Sequence, residues 1–338
     1  MNAEINRQWL LASRPESMVG VDNFARGEAA VPTPADGQIL VRVTHVAYEP
    51  AMRGWMSERP GYTTAIPIGG VMRSQGAGRV VDSRHPGFKP GDRVSGMFGW
   101  QDYALAAPGG ELLSVQKLTD GVTEETALSV LGITGLTAYF GMLDVGRPQP
   151  GDTVAVSGAA GATGSVAGQI ARIKGARVIG IAGGAEKCAW LTGEAGFDAA
   201  IDYKAERVSR RLRELAPEGL NVFYDNVGGE ILEAALNNIA VGSRIIICGA
   251  ISGYNTGALP APPRNYMAIV WKPSIMAGFL LGQYADRFDE ARSQLGEWVA
   301  DGRLTYAVDV QEGFETVPHT FLRLFRGQNL GKQLCRIA

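Results

Sequence analysis

After the apolar run Thr153 to Ser157, the chain reads Gly158-Ala-Ala-Gly161-Ala-Thr-Gly164-Ser165 and passes straight into SVAGQIARIKG, whose apolar residues recur at helical spacing. A strand feeding a helix through a glycine-rich turn is demanding. The backbone must turn sharply and approach its neighbours closely, and the first N–H groups of the helix are left pointing at whatever fills the turn. An isolated G-x-x-G-x-x-G is a weak motif, but here an alternation continues: RVIGIAG, AEKCAWLTGEAG, AAIDY, ERVSRRLRELAPEG, NVFYDNVGG, EILEAALNNIAVG, RIIICGAIS. Short β-branched runs alternating with helix-length segments specify βαβ units and an α/β, doubly wound parallel sheet. Gly175, Gly196 and Gly242 are placed where helices of this pattern end. In that setting the loop is a phosphate cradle for a dinucleotide, the pyrophosphate resting on the helix N-terminus. The plainer alternative is a turn that only closes strand against helix.

The preceding part is built differently. From Trp9 to about Ala107 the runs ILVRVTHVAY, GAGRVVD, FKPGDRVSGMFG and WQDYALAA are short and broken by turn residues, with ILVRVTHV alternating at a period of two. This is a β-rich unit. Helix spacing begins near Thr123 with EETALSVLGITGLTAYFGML, read as one helix opened by Thr123, Glu124 and Glu125. The expected division is a first domain over residues 1–125, completed by a helix and strand in 305–338, and a dinucleotide domain over 126–304.

A site for NAD carries an acidic residue about 20 residues beyond the glycine loop, where it accepts from the adenosine ribose. Here the second strand ends in Gly183-Gly184-Ala185-Glu186-Lys187. Space and a cation stand where a carboxylate is expected, which suits the additional phosphate of NADP(H). Lys187 is the candidate charge partner and Tyr203 a candidate hydroxyl donor; for Lys187 alone, a solvated helix-face lysine is the ordinary role.

Several function classes are excluded. Lys+Arg is 32 against Asp+Glu 34, a formal charge of −2, so bulk charge draws the chain to neither nucleic acid nor an anionic membrane. No run approaches the roughly 18 apolar residues of a membrane span, and the opening MNAEINRQWLLASRPES lacks the pattern of a secretory leader. Cys188, Cys248 and Cys335 are odd in number and far apart, which suits a reducing, cytoplasmic setting rather than a disulfide framework. A zinc alcohol dehydrogenase needs an early Cys, a Gly-His-Glu and a four-cysteine lobe; the corresponding stretch is Gly69-Gly70-Val71-Met72-Arg73-Ser74, and His45, His85 and His319 have ordinary strand, turn and apolar surroundings. No metal site is expected. With no Gly-x-Ser-x-Gly elbow either, the chemistry left is hydride transfer from a nicotinamide.

At this point a family likeness becomes specific. FKPGDRV, AAGATGSVAGQIARIKG, AGGAEK, YDNVGGE and CGAISGYN, taken in order, resemble the zinc-free medium-chain dehydrogenase/reductases, in the branch of prostaglandin reductases, 2-alkenal reductases and bacterial curcumin reductases. The likeness runs from RQWLLASRP to NLGKQL. It implies a GroES-like β-rich domain joined to a Rossmann domain, a homodimer, a small electrophilic substrate, and NADPH-dependent reduction of the C=C bond of α,β-unsaturated ketones and aldehydes.

The resemblance also implies roles. Gly161, Ala162, Thr163, Gly164 and Ser165 would hold the pyrophosphate; Gly183, Lys187 and Tyr203 the 2′-phosphate; Asn226 the ribose or phosphate side; and Cys248, Gly249, Ala250, Ile251, Ser252 and Tyr254 the nicotinamide side. Thr137 of GLTAYFG, Phe279 of GFLLGQYADR and Asn329 of GQNLGK resemble further cofactor contacts. Tyr254, or a cofactor ribose hydroxyl, would donate to the oxygen of the enolate formed when hydride reaches the β-carbon. Tyr48, Met52 and Arg53 are substrate-side candidates, with Trp55 beside them, although a Met or Trp after a strand more often packs a core. Many relatives read Asp-Pro-Tyr-Met-Arg-Gly where this chain has Glu49-Pro50-Ala51-Met52-Arg53-Gly54, so an aromatic wall is absent. Two competing readings are a quinone reductase of the neighbouring branch and a non-catalytic NADPH-binding protein.

Overall fold

The structure, a computed structural model, describes residues 5–58, 61, 63–109, 114–256 and 261–338. The first four residues of the opening stretch lie outside the described residues. The chain divides into two compact units, Met1–Leu128 with Val308–Ala338, and Ser129–Ala307.

In the first unit β1 (Ile5–Leu11) and β2 (Phe24–Ala30) form an antiparallel pair. They are followed by β3 (Ile39–Ala47), a helical turn α1 (Met52–Trp55), β4 (Gly76–Ser83), β5 (Arg93–Gly96), β6 (Tyr103–Ala106), β7 (Gln116–Lys117) and α2 (Glu124–Leu128). β3 is central, paired with both β4 and β6, and is buried along nearly its whole length.

The second unit opens with α3 (Ile133–Phe140), which runs into a π-helical turn at Gly141–Gly146. The single helix expected from Thr123 is therefore two, α2 and α3. Gly132 breaks it by standing in extended conformation at the start of α3, and the Thr134 hydroxyl donates to the Ser129 carbonyl across the break, at 3.1 Å. Then come β8 (Thr153–Ser157), α4 (Ala162–Ile173), β9 (Arg177–Ala182), α5 (Ala185–Gly193), β10 (Ala199–Asp202), α6 (Val208–Leu215), β11 (Leu220–Asp225), α7 (Gly229–Leu236), β12 (Ile239–Ile247), α8 (Ala268–Trp271), β13 (Ile275–Gly278) and α9 (Phe288–Ala300). All six strands are parallel, in the order β10-β9-β8-β11-β12-β13. This is the doubly wound Rossmann order, and its direction reverses between β8 and β11. Gly242 ends no helix: α7 stops at Leu236, and Gly242 lies inside β12, at φ +79°, where the register against β11 shifts. A bulge uses the same left-handed freedom that a helix cap would.

The chain returns to the first unit through β14 (Val308–Glu312), α10 (Val317–Phe325) and β15 (Lys332–Arg336). β15 pairs antiparallel with β3, completing a seven-stranded sheet around a core that includes Tyr48, Met52, Trp100 and Phe321. No helix among the described residues is long and apolar enough to cross a membrane.

Candidate functional site

In a parallel sheet every strand hands over to its loop at the same edge, so the first residue past each strand belongs to one row. Here that row is Gly158, Gly183, Tyr203, Asn226, Cys248 and Phe279. Five of the residues picked out by sequence stand in it, one after each strand from β9 to β13.

Gly158 has φ +58°, and the Gly161 N–H donates to its carbonyl at 3.0 Å, closing the turn before α4. Gly161 caps α4 in extended conformation with no side chain bonded across the helix end. The opening N–H groups of α4, from Ala162, Thr163 and Gly164, are thus directed at the turn, where an anion is favoured. A Cβ on Gly164 would stand 2.4 Å from the Gly158 carbonyl oxygen, so only glycine lets the helix approach this closely. The Ser165 side chain is buried, its N–H bonded to the Gly161 carbonyl at 3.0 Å. This cradle fits a pyrophosphate.

Past β9, a Cβ on Gly183 would lie 2.9 Å from the Tyr203 ring, so the exposed tyrosine lies over the glycine. Lys187 follows in the first turn of α5. The carboxylate that ends β10, Asp202, accepts the backbone N–H groups of Gly184 at 2.9 Å and Lys204 at 3.0 Å, which hold it below the usual carboxylate range. No acid ends β9 itself.

The switch between β8 and β11 is locked by a pair that sequence reading missed. Ser157 Oγ donates to Asp225 Oδ1 at 2.7 Å, and the same carboxylate accepts from Val227 N at 3.1 Å and Gly228 N at 3.1 Å. Asp225 is fully buried, and burial raises its pKa against the pull of those donors. The signal lay in the sequence as an Asp closing an apolar strand before Asn-Val-Gly-Gly, the chemistry of an Asx turn. Asn226 Nδ2 donates to the Ser157 carbonyl at 2.7 Å, which leaves its carboxamide oxygen for a ligand.

The loop past β12 is laced onto this turn. Cys248 N and Gly249 N donate to the Asp225 carbonyl at 2.9 and 3.1 Å, Ile251 N to Asn226 at 3.2 Å, and Ser252 Oγ to Val227 at 2.6 Å. Ala250 N donates to the Tyr254 hydroxyl at 3.2 Å, so the phenol is oriented by the loop it closes. Burial pushes the Cys248 thiol, beside Tyr224, up to about 11, which keeps it a neutral packing group. Tyr224 in turn donates to the carbonyl of Thr137 at 3.0 Å, while the Thr137 hydroxyl bonds back to Ile133 at 2.7 Å.

The remaining candidates belong to the first unit. Asn329 Nδ2 donates to the Gly331 carbonyl at 2.9 Å. Tyr48, Met52 and Arg53, expected on the substrate side, are buried. The Tyr48 hydroxyl donates to the Val317 carbonyl at 3.0 Å and its ring packs against Trp100 and Phe321. Met52 is fully buried in the same core. Arg53 Nη2 ties down the Pro15 and Ser17 carbonyls, both at 2.9 Å. Among the described residues no cluster of three or more His, Cys, Asp or Glu is arranged to hold a metal ion.

Comparison with known proteins agrees with this geometry. Residues 7–115 match the family described as "N-terminal domain of oxidoreductase" and residues 162–297 the one described as "Zinc-binding dehydrogenase". The chain is 41% identical to the NADPH-dependent curcumin reductase of Escherichia coli over 98% of its length and 97% of that protein's. It is 35% identical to bovine prostaglandin reductase 1 over 98% of each. The crystal structure of CurA from Vibrio vulnificus in complex with NADPH, 37% identical, superposes with a TM-score of 0.92 over 98% of this chain and 99% of that one. The chain therefore belongs to the medium-chain dehydrogenase/reductase family, in the zinc-independent branch that holds the curcumin and prostaglandin reductases.

Proposed function

We propose that the protein reduces the C=C bond of α,β-unsaturated ketones and aldehydes with NADPH, a reading supported by its similarity to an NADPH-dependent curcumin reductase, prostaglandin reductase 1 and an NADP(+)-dependent 2-alkenal reductase. The observation that carries the reading is the strand-end row with Tyr254 fixed above it, an anion cradle and an oriented phenol on one edge of one sheet. Bound NADPH supplies the hydride. The chain's own residues hold and orient. Gly161 to Ser165 receive the pyrophosphate; Gly183, Tyr203 and Lys187 the 2′-phosphate; Asn226, residues 248–252 and Phe279 the nicotinamide half; Thr137 completes the contacts.

Tyr254 is assigned the oxygen of the substrate. An enone that accepts hydride at its β-carbon develops negative charge on oxygen, and a preorganised O–H donor lowers that barrier. The Ala250 N–H donates to the phenol oxygen, and that bond fixes where the hydroxyl stands. The α-carbon then takes a proton from Tyr254 or water.

The test follows NADPH oxidation, with NADH in parallel, across enones, alkenals and quinones. NADPH-selective turnover of enones supports the reading; binding without turnover on any of them removes it. Tyr254→Phe is expected to lower kcat on enones about 10²-fold, the scale of one lost oxyanion donor, with NADPH affinity unchanged.

We also propose a cytoplasmic homodimer. β13 has a neighbour on one side of the sheet, and Trp271, 74% exposed, stands near it with exposed Val270 and Ile275. An apolar open edge of this kind is covered in a stable protein. A light-scattering mass of one chain would remove the dimer.

A further inference from the structure

We propose that Arg287 is a positioning residue, a clamp that holds the segment from Phe279 to Tyr284 against the cofactor edge. This rests on the cofactor contact assigned above to Phe279. No carboxylate or aromatic partner of Arg287 takes part in the chemistry proposed above.

The clamp joins three elements of the second unit. Arg287 ends the short turn of helix at Leu281–Arg287 that follows β13. Its Nη1 donates to both oxygens of Asp144, each at 3.1 Å, on the π-helical turn. On its other edge, Nε and Nη2 donate to the two oxygens of Glu290 on α9, each at 3.0 Å. Glu290 is itself fixed by the Tyr139 hydroxyl at 3.2 Å. The guanidinium lies 5.2 Å from the centroid of Phe140, and Tyr284 stacks on that same ring at 4.4 Å with 7° between planes. Phe279 meets Tyr284 edge-on at 6.4 Å.

Beneath Phe279 the backbone makes room. A Cβ on Gly141 would lie 2.6 Å from the tip of the Phe279 ring and 2.7 Å from the Tyr224 hydroxyl. The wide turn beginning at Gly141 therefore seats Phe279 against Tyr224 and, through it, against Thr137 and Cys248. A π-helical turn of this sort often marks a functional site.

The energetics point to positioning rather than stability. Arg287 and its carboxylates are each about a third or more exposed, and exposed pairs contribute little to folding. A guanidinium donating along two edges to two elements still fixes geometry, and lysine cannot reproduce that fork. The role is orientation of the segment carrying Phe279.

The test uses Arg287→Ala and Arg287→Lys in the full chain, with Arg303→Ala, which loses a surface pair with Asp301, as control. NADPH binding by fluorescence titration, amide exchange over residues 279–287, and the split between KM and kcat are read together. Arg287→Ala is expected to weaken NADPH about tenfold, to speed exchange in that segment, and to raise KM for NADPH far more than it lowers kcat. Arg287→Lys should restore only part of each. Gly141→Ala should reproduce the loss of affinity with the clamp intact. NADPH affinity within twofold of wild type in both Arg287 variants overturns the clamp, as does an equal loss in Arg303→Ala, or a loss of affinity with segment exchange unchanged. If Arg287→Ala does not fold, Arg287→Lys decides alone. Wild-type protein that binds NADPH but reduces no enone removes the proposed function and leaves this test standing.

Discussion

The edge of the parallel sheet and the Tyr48–Arg53 stretch of the first unit were both marked by sequence motifs, and they met different fates. At the edge, Gly183, Tyr203, Asn226, Cys248 and Phe279 all fall where a strand gives way to a loop. In the first unit, Tyr48, Met52 and Arg53 also follow a strand, yet each is buried and spent on packing or on a backbone carbonyl. The difference lies in topology. Parallel strands all end on one side, so the alternation that specifies the fold also says which residues face the ligand edge. Antiparallel strands end on alternating sides, and the fate of a residue past one of them is set by distant partners, here Val317 and Phe321 from a segment that returns near the C-terminus.

The largest break in this comparison would come from the glycine loop. Gly164→Val places carbon within 2.4 Å of the Gly158 carbonyl oxygen and should abolish measurable NADPH binding, since α4 can no longer seat its N–H groups on the turn. Isothermal titration that still finds wild-type affinity would sink the assignment of the cradle. Next in size is Met52→Ala, the counterpart in the first unit. Loss of a fully buried side chain from a packed core destabilises by about 2–5 kcal/mol, so the melting temperature should fall clearly while KM for NADPH holds. A variant with unchanged stability and a raised KM for the enone would return Met52 to the substrate side.

What could be read ahead of the structure follows the same division. Alternating apolar period and glycine placement were enough for the Rossmann sheet and for the loops from 158 to 254, because these are local signals repeated along the chain. The break between α2 and α3 was invisible in EETALSVLGITGLTAYFGML, since apolar spacing continues across it and only the extended backbone at Gly132 interrupts the helix. Gly242 was placed at the end of a helix because its left-handed φ serves a bulge equally well. The Asx-turn pattern marks Asp225 as a turn residue, but its bond to Ser157 joins residues 68 apart, and that partner is not legible in a local pattern. The clamp around Arg287 likewise reaches 143 residues back to Asp144.

A smaller effect sharpens the reading of the edge itself. If Lys187 meets the 2′-phosphate, Lys187→Ala should raise KM for NADPH about tenfold and leave KM for NADH unmoved, the worth of one partly solvated charge contact. Parallel kinetics with both cofactors measure the ratio. Equal changes for the two would show that the lysine supports α5 rather than reading the phosphate.

The smallest expected effect separates the two units by pH. All three histidines, His45, His85 and His319, lie in the first unit, and residues 129–307 contain none. His45 is buried on β3, with its Nδ1 at 2.9 Å from Thr44 Oγ1 and its Nε2 3.5 Å from Glu125 and 3.4 Å from Arg336 Nε. Burial lowers its pKa, the nearby Glu125, Glu124 and Glu312 oppose that, and Arg336 reinforces it. A histidine whose folded pKa lies below its unfolded value binds more protons when unfolded, so stability is lost as pH falls through about 6.5 toward the folded value. The loss is less than about 1.4 kcal/mol for each unit by which the two values differ. Between pH 7.5 and about 5.5, amide exchange should therefore accelerate in β3 and its neighbours, after correction for intrinsic rates, more than in β8 or β11. His45→Gln, which keeps hydrogen-bonding capacity but does not titrate there, should remove most of that difference. Equal destabilisation of both sheets, or a difference that survives in His45→Gln, would move the pH response away from this residue.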